Sequence, residues 1–170
     1  MEKTLKIINQ MRKDGLFSHY AIGGGIAALF YIEPLTTFDL DIFIILPEQK
    51  SPLVSLTPIY KWLKKRGYKA EKEQITIEGI PVQFIPVYND LIEDAVKDAA
   101  EKPYKKISTY VLKPEYLVAI MLQTFRPKDR ERLVRFFEQA KISEKILKPI
   151  LEKHKLVPVY NKFRRNFLEN

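Results

Sequence analysis

Residues 20–43 read YAIGGGIAALFYIEPLTTFDLDIF, and this stretch decides the fold that we expect. Three glycines follow a short apolar run, and two aspartates separated by one leucine come later in the stretch. Consecutive side chains of a strand point to opposite faces, so Asp39 and Asp41 share one face while Leu40 and Ile42 share the other. The pattern predicts a strand that is buried on one side and carries two carboxylates on the other.

Two carboxylates this close repel each other in a partly buried site unless a positive charge lies between them. Mg²⁺ is a natural partner, because it binds carboxylate oxygens together with the phosphates of a substrate. Asp39 and Asp41 are therefore candidate metal ligands and catalytic residues, with Mn²⁺ as an alternative to Mg²⁺. For this pair alone, a strand with two ordinary acids on its solvated face is at least as good an explanation.

The glycines favour the metal-site interpretation. A strand that ends in Gly23, Gly24 and Gly25 and leads into a helix brings backbone N–H groups close to an anion at the positive end of that helix. A tight turn between strand and helix would also explain three glycines. The run is not G-x-G-x-x-G, and no P-loop lysine follows it, so we predict neither a dinucleotide fold nor a P-loop. The glycines, Thr37 and the aspartates together predict a site for phosphates and a metal.

The composition is that of a compact globular protein with a basic C-terminal part. The chain has 170 residues, of which 46% are hydrophobic and 12% aromatic, which excludes a disordered chain. It has no cysteine and no apolar run of the roughly 18 residues that a membrane helix needs, so we expect a cytoplasmic protein without a membrane partner. Residues 128–170 carry 12 Lys and Arg against 6 Asp and Glu. This region is compatible with a polyanionic partner, although a solvated helical surface explains it as well.

Hydrophobic periodicity predicts an α/β fold, with a small mixed and twisted sheet that is flanked by helices and followed by a helical C-terminal region. The expected strands cover residues 17–22, 38–46, 73–77, 80–87 and 104–112. Expected helices include residues 26–31, a helix that begins near residue 90, and a helix over residues 114–125. We divide the chain into an α/β core, residues 1–103, and a mainly helical region, residues 104–170, that packs on it.

The stretch IGGGIAALFYIEPLTTFDLDIFI resembles the signature of the DNA-polymerase-β-like nucleotidyltransferase superfamily. With IEGIPVQFIPVYNDLIEDAV and YLVAIMLQTFRPKDRERL it is similar, more narrowly, to AbiEii-type nucleotidyltransferases, which include toxins of toxin–antitoxin and phage-defence systems. The resemblance spans roughly residues 20–137. It implies the nucleotidyltransferase fold and transfer of a nucleoside monophosphate from a nucleoside triphosphate (NTP) to a hydroxyl. It also implies tRNA or another RNA as acceptor and an antitoxin as partner protein.

The resemblance also implies roles for individual residues. Asp39 and Asp41 would hold Mg²⁺ that bridges the phosphates of the nucleotide. The residues that it places at the nucleotide are Gly23, Gly24, Gly25, Thr37, Arg126, Lys128 and Asp129.

Two positions depart from the family pattern. The strand PVQFIPV carries Gln83 where the superfamily has a third carboxylate, and the helix YLVAIMLQ carries Met121 where AbiEii-type proteins have a lysine. Glutamine can coordinate a metal weakly but cannot act as a base near neutral pH, a loss worth roughly 10²–10⁴-fold in rate. Two functions therefore stay open: a nucleotidyltransferase, and a catalytically impaired protein on the same scaffold that binds nucleotides or nucleic acid.

Overall fold

A computed structural model of the chain describes residues 1–33, 37–47, 54–71 and 74–169. Its strands are β1 (His19–Ile22), β2 (Leu40–Ile45), β3 (Ala70–Glu71), β4 (Gln74–Ile77), β5 (Ile80–Pro86), β6 (Ala100–Tyr104) and β7 (Ile107–Val111). Within the described residues they form one sheet in the order β3-β4-β5-β2-β1-β7-β6. Strand β2 is parallel to β5 and β1 is parallel to β7, whereas the other neighbours are antiparallel. The expected mixed sheet is confirmed.

Helices flank the sheet and make up the C-terminal part of the chain. They are α1 (Glu2–Lys13), α2 (Gly24–Ala28), α3 (Thr57–Lys64), α4 (Asp90–Lys97), α5 (Pro114–Thr124), α6 (Pro127–Gln139), α7 (Glu144–Lys153) and α8 (Val157–Phe167). The apolar helix α5 is the most central of the C-terminal helices, because it packs against α2 and α4 as well as α6, α7 and α8. Across the described ranges, no helix is both long and apolar enough to cross a membrane.

Different helices pack on the two faces of the central strands. Leu40, Ile42 and Ile44 of β2 are fully buried on one face. Helix α1 covers this face, since the hydroxyl of Tyr20, which pairs with Ile44, donates a 2.6 Å hydrogen bond to Asn9 of α1. The alternate residues of β2, among them Asp41, therefore face the opposite side, toward α5 and α6.

Strand β6 does not follow from the sequence pattern. Its residues include Glu101, Lys102 and Pro103, which are rare in strands. In the structure β6 is the last strand of the sheet and pairs with β7, and an edge strand tolerates proline because one side of it needs no hydrogen-bonded neighbour. The β6–β7 hairpin crosses the division at residue 103 and joins the sheet through β1, so we propose that the helical region starts at α5.

Candidate active site

The glycine turn and the aspartates meet because β1 and β2 are antiparallel neighbours. Ile22, the last residue of β1, pairs with Ile42 near the start of β2. The amide N–H of Gly23 then donates to the carbonyl oxygen of Asp41 over 2.9 Å. The turn that follows β1 is thereby held beside the two carboxylates.

Close packing of this turn requires glycine. Gly24 has φ +58°, and a Cβ atom there would lie 2.0 Å from Oδ2 of Asp41. A Cβ at Gly25 would lie 2.5 Å from Oγ1 of Thr37, and one at Gly23 would lie 2.2 Å from the ring of Phe43. The three glycines therefore form a tight turn against β2, and α2 begins at Gly24 rather than at the expected residue 26.

Gln83 lies directly beside the aspartates. The register of the parallel strands β2 and β5 pairs Asp41 with Gln83, and neighbouring strands are about 4.8 Å apart. The position expected for a third carboxylate thus holds a neutral amide next to Asp41. Among the residues that the structure describes, no group of three or more acidic, histidine or cysteine side chains could hold a metal ion.

A cavity of about 410 Å³ lies above this part of the sheet. The residues expected from the sequence that line it are Gly24, Gly25, Thr37, Asp39, Asp41, Gln83, Arg126, Lys128 and Asp129. Gly23 packs against Phe43 instead and does not line the cavity. Residues 83 and 126–129 are far from the glycines in sequence, so the fold brings together sites that only the family resemblance had connected.

The junction between α5 and α6 places the cations over the cavity. Phe125 ends α5 with a left-handed backbone, φ 46°, and Arg126 caps α6. The carboxylate of Asp129 is 1% exposed and accepts hydrogen bonds from the Nε and backbone N–H of Arg126, at 2.7 and 3.1 Å, and from Thr124 at 2.8 Å. Burial raises the pKa of Asp129, but these hydrogen bonds outweigh it and lower the pKa below its ordinary value. Asp129 therefore positions Arg126.

The surroundings of Asp41 disfavour its ionised form. Burial and the nearby charge of Asp39 raise the pKa of Asp41, and the charges of Lys128, Arg132 and Arg126 oppose this rise only in part. Within the described ranges, neither Lys128 nor Arg132 has an acidic partner within 4.0 Å. The cavity thus combines two repelling carboxylates with unpaired positive charge, an arrangement that a metal-bound polyphosphate would neutralise.

The cavity residues that sequence reasoning did not name include Arg132 and Tyr88. Arg132 follows Lys128 by four residues on α6, so helical spacing alone places both on one face. Tyr88 lies between β5 and α4, and its place in the sequence gives no comparable signal.

The oxygen donors of the site fit Mg²⁺ or Mn²⁺. Asp39 is exposed and Asp41 is half-buried, and both line the cavity together with the amide of Gln83. Mg²⁺ is typically bound through one or two carboxylates plus substrate phosphates, so two aspartates suffice when a nucleotide completes the shell.

Solved structures are similar to this chain over nearly its whole length. An antigenic nucleotidyltransferase-like protein from Paracoccidioides brasiliensis matches with a TM-score of 0.63 and 12% sequence identity, over 96% of this chain and 86% of that one. ANT(2″)-Ia in complex with adenylyl-2″-tobramycin matches with a TM-score of 0.51 and 14% identity, over 96% of this chain and 98% of that one. Comparisons with protein-family models and with curated proteins find no match. The chain has the α/β fold of these nucleotidyltransferase-like proteins.

Proposed function

We propose that the protein is a Mg²⁺-dependent nucleotidyltransferase, which transfers a nucleoside monophosphate from an NTP to a hydroxyl acceptor. One observation carries the proposal: Asp39 and Asp41 line a single cavity together with the glycine turn, Lys128 and Arg132. Two carboxylates beside cations that have no acidic partner among the described residues suit a metal-bound triphosphate, because its negative charge can interact with both the metal and the cations.

In this proposal each group of the site has a separate task. Asp39 and Asp41 hold Mg²⁺, which would neutralise charge on the phosphates of the bound nucleotide. The turn at Gly24 and Gly25, with Thr37 beside it, leaves room for the triphosphate, while Lys128 and the positioned Arg126 orient its oxygens. The acceptor oxygen attacks the α-phosphorus, the new O–P bond forms, and the bond to pyrophosphate breaks.

Residue 83 cannot accept the proton that the acceptor hydroxyl loses. A glutamine side chain has no basic site near neutral pH, so Gln83 can accept a hydrogen bond from the hydroxyl but cannot remove its proton. We infer that the proton passes to solvent or to a phosphate oxygen of the substrate, at a rate lower than with a carboxylate base.

The acceptor that we propose is an RNA such as tRNA. The basic C-terminal region supports this, because residues 128–170 carry an excess of positive charge that begins at the cavity with Lys128. The resemblance of the quoted motifs to AbiEii-type proteins supports a place in a toxin–antitoxin pair, with an antitoxin as protein partner.

A second candidate function is binding of nucleotides or nucleic acid without turnover. It is favoured by Gln83 beside Asp41 and by the apolar Met121, which lines the cavity where AbiEii-type proteins have a lysine. In this case the site binds a metal–nucleotide complex, and the absence of a base prevents transfer.

Label transfer tests the first proposal. The protein is incubated with each α-³²P-labelled NTP, Mg²⁺ or Mn²⁺, and total RNA, and we expect labelled RNA. Transfer should disappear in Asp39→Asn and Asp41→Asn and persist in Asp90→Asn, a control on the exposed first turn of α4. Undiminished transfer in the two site variants would contradict the assigned site.

Calorimetry separates the two candidates. We would titrate ATP, GTP, CTP and UTP with and without Mg²⁺. Mg²⁺-dependent binding together with transfer supports the enzyme, and the same binding without transfer to any acceptor supports the binding protein. Absence of nucleotide binding would contradict both the enzyme and the nucleotide-binding protein, and would leave only binding of nucleic acid.

A further inference from the structure

The floor of the cavity changes from polar to apolar along two neighbouring strands. Asp41 pairs with Gln83 in the register of β2 and β5, and Phe43 pairs with Ile85 two residues further along. Residues two apart in a strand share a face and lie about 6.6 Å from each other. All four side chains line the cavity, so a polar row is followed by an apolar row.

Helix α5 covers the apolar row with apolar side chains. Leu117, Ile120 and Met121 line the same cavity, and α5 supplies no charged group among its lining residues. Next to the carboxylates there is consequently a compartment with apolar walls on two sides. Such compartments bind uncharged and especially planar groups.

Tyr88 stands at the rim of this cavity and is 61% exposed. Single exposed aromatic residues are common, so exposure alone carries no argument. The position of Tyr88, however, is fixed on both sides: the N–H of Val87 donates to Ile44 over 3.0 Å, and the side chain of Asn89 donates to Gln123 over 3.0 Å. No ring stacking and no hydroxyl hydrogen bond of Tyr88 to other described residues accounts for its placement.

We propose that Tyr88 stacks on the base of the bound NTP, above the compartment floored by Phe43 and Ile85. This inference rests on the proposed function. The order of the rows carries it, because a nucleotide has charged phosphates at one end and an uncharged planar base at the other. Arg126 lines the same cavity as Asp41 and Tyr88.

Stacking on an aromatic side chain depends on the π-face that every base has. The site therefore accepts all four bases, and the contribution of Tyr88 is absent for a ligand that has phosphates but no base. Inorganic triphosphate is such a ligand, and it provides the decisive comparison.

The experiment measures Mg²⁺-dependent binding of α,β-methylene ATP and of inorganic triphosphate by calorimetry. Tyr88→Ala should weaken binding of the ATP analogue about 5- to 150-fold, while triphosphate binding stays within twofold of wild type. Tyr88→Phe keeps the ring and should bind the analogue nearly as wild type does. Tyr104→Ala removes a tyrosine ring from the edge strand β6, outside the cavity, and is the control; thermal unfolding checks that each variant is folded.

If Tyr88→Ala weakens binding of the ATP analogue and of triphosphate equally, the inference is overturned. Unchanged binding of both ligands would overturn it as well. Unchanged binding of the ATP analogue with weakened binding of a short single-stranded RNA would show that Tyr88 contacts the RNA acceptor. This result would likewise overturn the proposed stacking on the base of the NTP. If the wild-type protein binds neither ATP analogue nor triphosphate, the proposed function itself fails, and this outcome is distinct from the others.

Discussion

A Cβ atom at residue 24 would stand 2.0 Å from Oδ2 of Asp41, so the glycine turn and the carboxylate are built around each other. Gly24 also has φ +58°, a conformation that costs other residues roughly 1–2 kcal/mol. The backbone of the turn and the position of the Asp41 carboxylate therefore depend on each other.

Gly24→Ala should consequently damage binding more than stability. The end of the Asp41 side chain can swing away from the new methyl group, so we expect a loss of about 1–2 kcal/mol in unfolding free energy from the backbone strain. The displaced carboxylate should weaken Mg²⁺-dependent nucleotide binding by about tenfold or more. Urea unfolding and calorimetry measure the two effects.

Gly15→Ala is the control for this variant. Gly15 has φ +79°, and a Cβ there would meet no atom within 4 Å. The control should show the same loss of stability with unchanged nucleotide binding. Wild-type binding in Gly24→Ala would contradict the close fit between Gly24 and Asp41.

Asp41→Asn should stabilise the protein in the absence of ligand. Burial and the charge of Asp39 raise the pKa of Asp41, so the folded protein holds its proton more tightly than the unfolded chain does. The ionised carboxylate therefore costs stability, and this cost appears as the pH rises from the unfolded value through the raised folded value. At neutral pH the neutral amide removes the cost.

Thermal unfolding at pH 7 and at pH 3 checks this prediction. At pH 7 the midpoint of Asp41→Asn should lie above that of wild type, by about 2–4 °C for each kcal/mol gained in a chain of this size. At pH 3 the difference should vanish, because both carboxyl and amide are neutral. Asp39→Asn is the comparison: it removes the repulsion on Asp41 but leaves the cost of burying Asp41, which is the larger cause of the raised pKa, so the midpoint should rise less than in Asp41→Asn.

The proximity of the glycine turn to the aspartates could be predicted from the sequence because the signals are local. Glycines that end a strand and carboxylates that alternate along the next one are visible in a short stretch, and the structure places Gly24 against Asp41. The position of Gln83 depended on the family resemblance, because nothing in the sequence gives the register between β2 and β5. Pairing between distant strands is decided by the packing of the whole sheet.

Strand β6 and the hydrogen bonds of Asp129 could not be predicted from the sequence, and each has a physical reason. Strand β6 contains Tyr104 as its single strand-favouring residue, and it forms because it pairs with β7. Asp129 lines the cavity beside Arg126 and Lys128, and its oxygens accept hydrogen bonds from Arg126 and Thr124 that the sequence does not predict. Only side-chain geometry separates a carboxylate that binds ligand from one that positions its neighbour.

Asp129→Asn should lower stability in a manner that depends on pH. The hydrogen bonds from Arg126 and Thr124 hold the pKa of Asp129 below its ordinary value despite burial. The carboxylate therefore contributes stability that is present above its unfolded pKa and is lost as the pH falls through the folded pKa. We expect a loss of about 1.5–3 kcal/mol in urea unfolding at pH 7, typical of hydrogen bonds to a charged group.

The difference between Asp129→Asn and wild type should shrink steadily below about pH 4, as Asp129 takes up its proton. Asp98→Asn serves as control, because Asp98 is half exposed and pairs with Lys113 at the surface, where such pairs contribute about 0–1 kcal/mol. A gap that stays constant from pH 7 to pH 3 would show that the charge of Asp129 does not matter.

Gln83→Glu should convert the site into one with three carboxylates. In the absence of metal, the new charge beside Asp41 adds repulsion, so the variant should unfold at lower temperature than wild type. Mn²⁺ supplies the missing positive charge, and its affinity should rise about 10- to 100-fold, measured by calorimetry or electron paramagnetic resonance. The same addition of Mn²⁺ should restore much of the lost thermal stability, since a ligand that binds only the folded state stabilises it.

Gln74→Glu on β4 adds the same charge to the sheet away from the cavity and should change Mn²⁺ affinity little. If Gln83→Glu gains metal affinity and also transfers nucleotides faster than wild type, the amide at position 83 is what limits the chemistry. If it gains affinity without any transfer, the scaffold lacks more than a base, which favours the binding protein over the enzyme. Unchanged Mn²⁺ affinity would mean that position 83 does not face the metal site, against the pairing of Asp41 with Gln83.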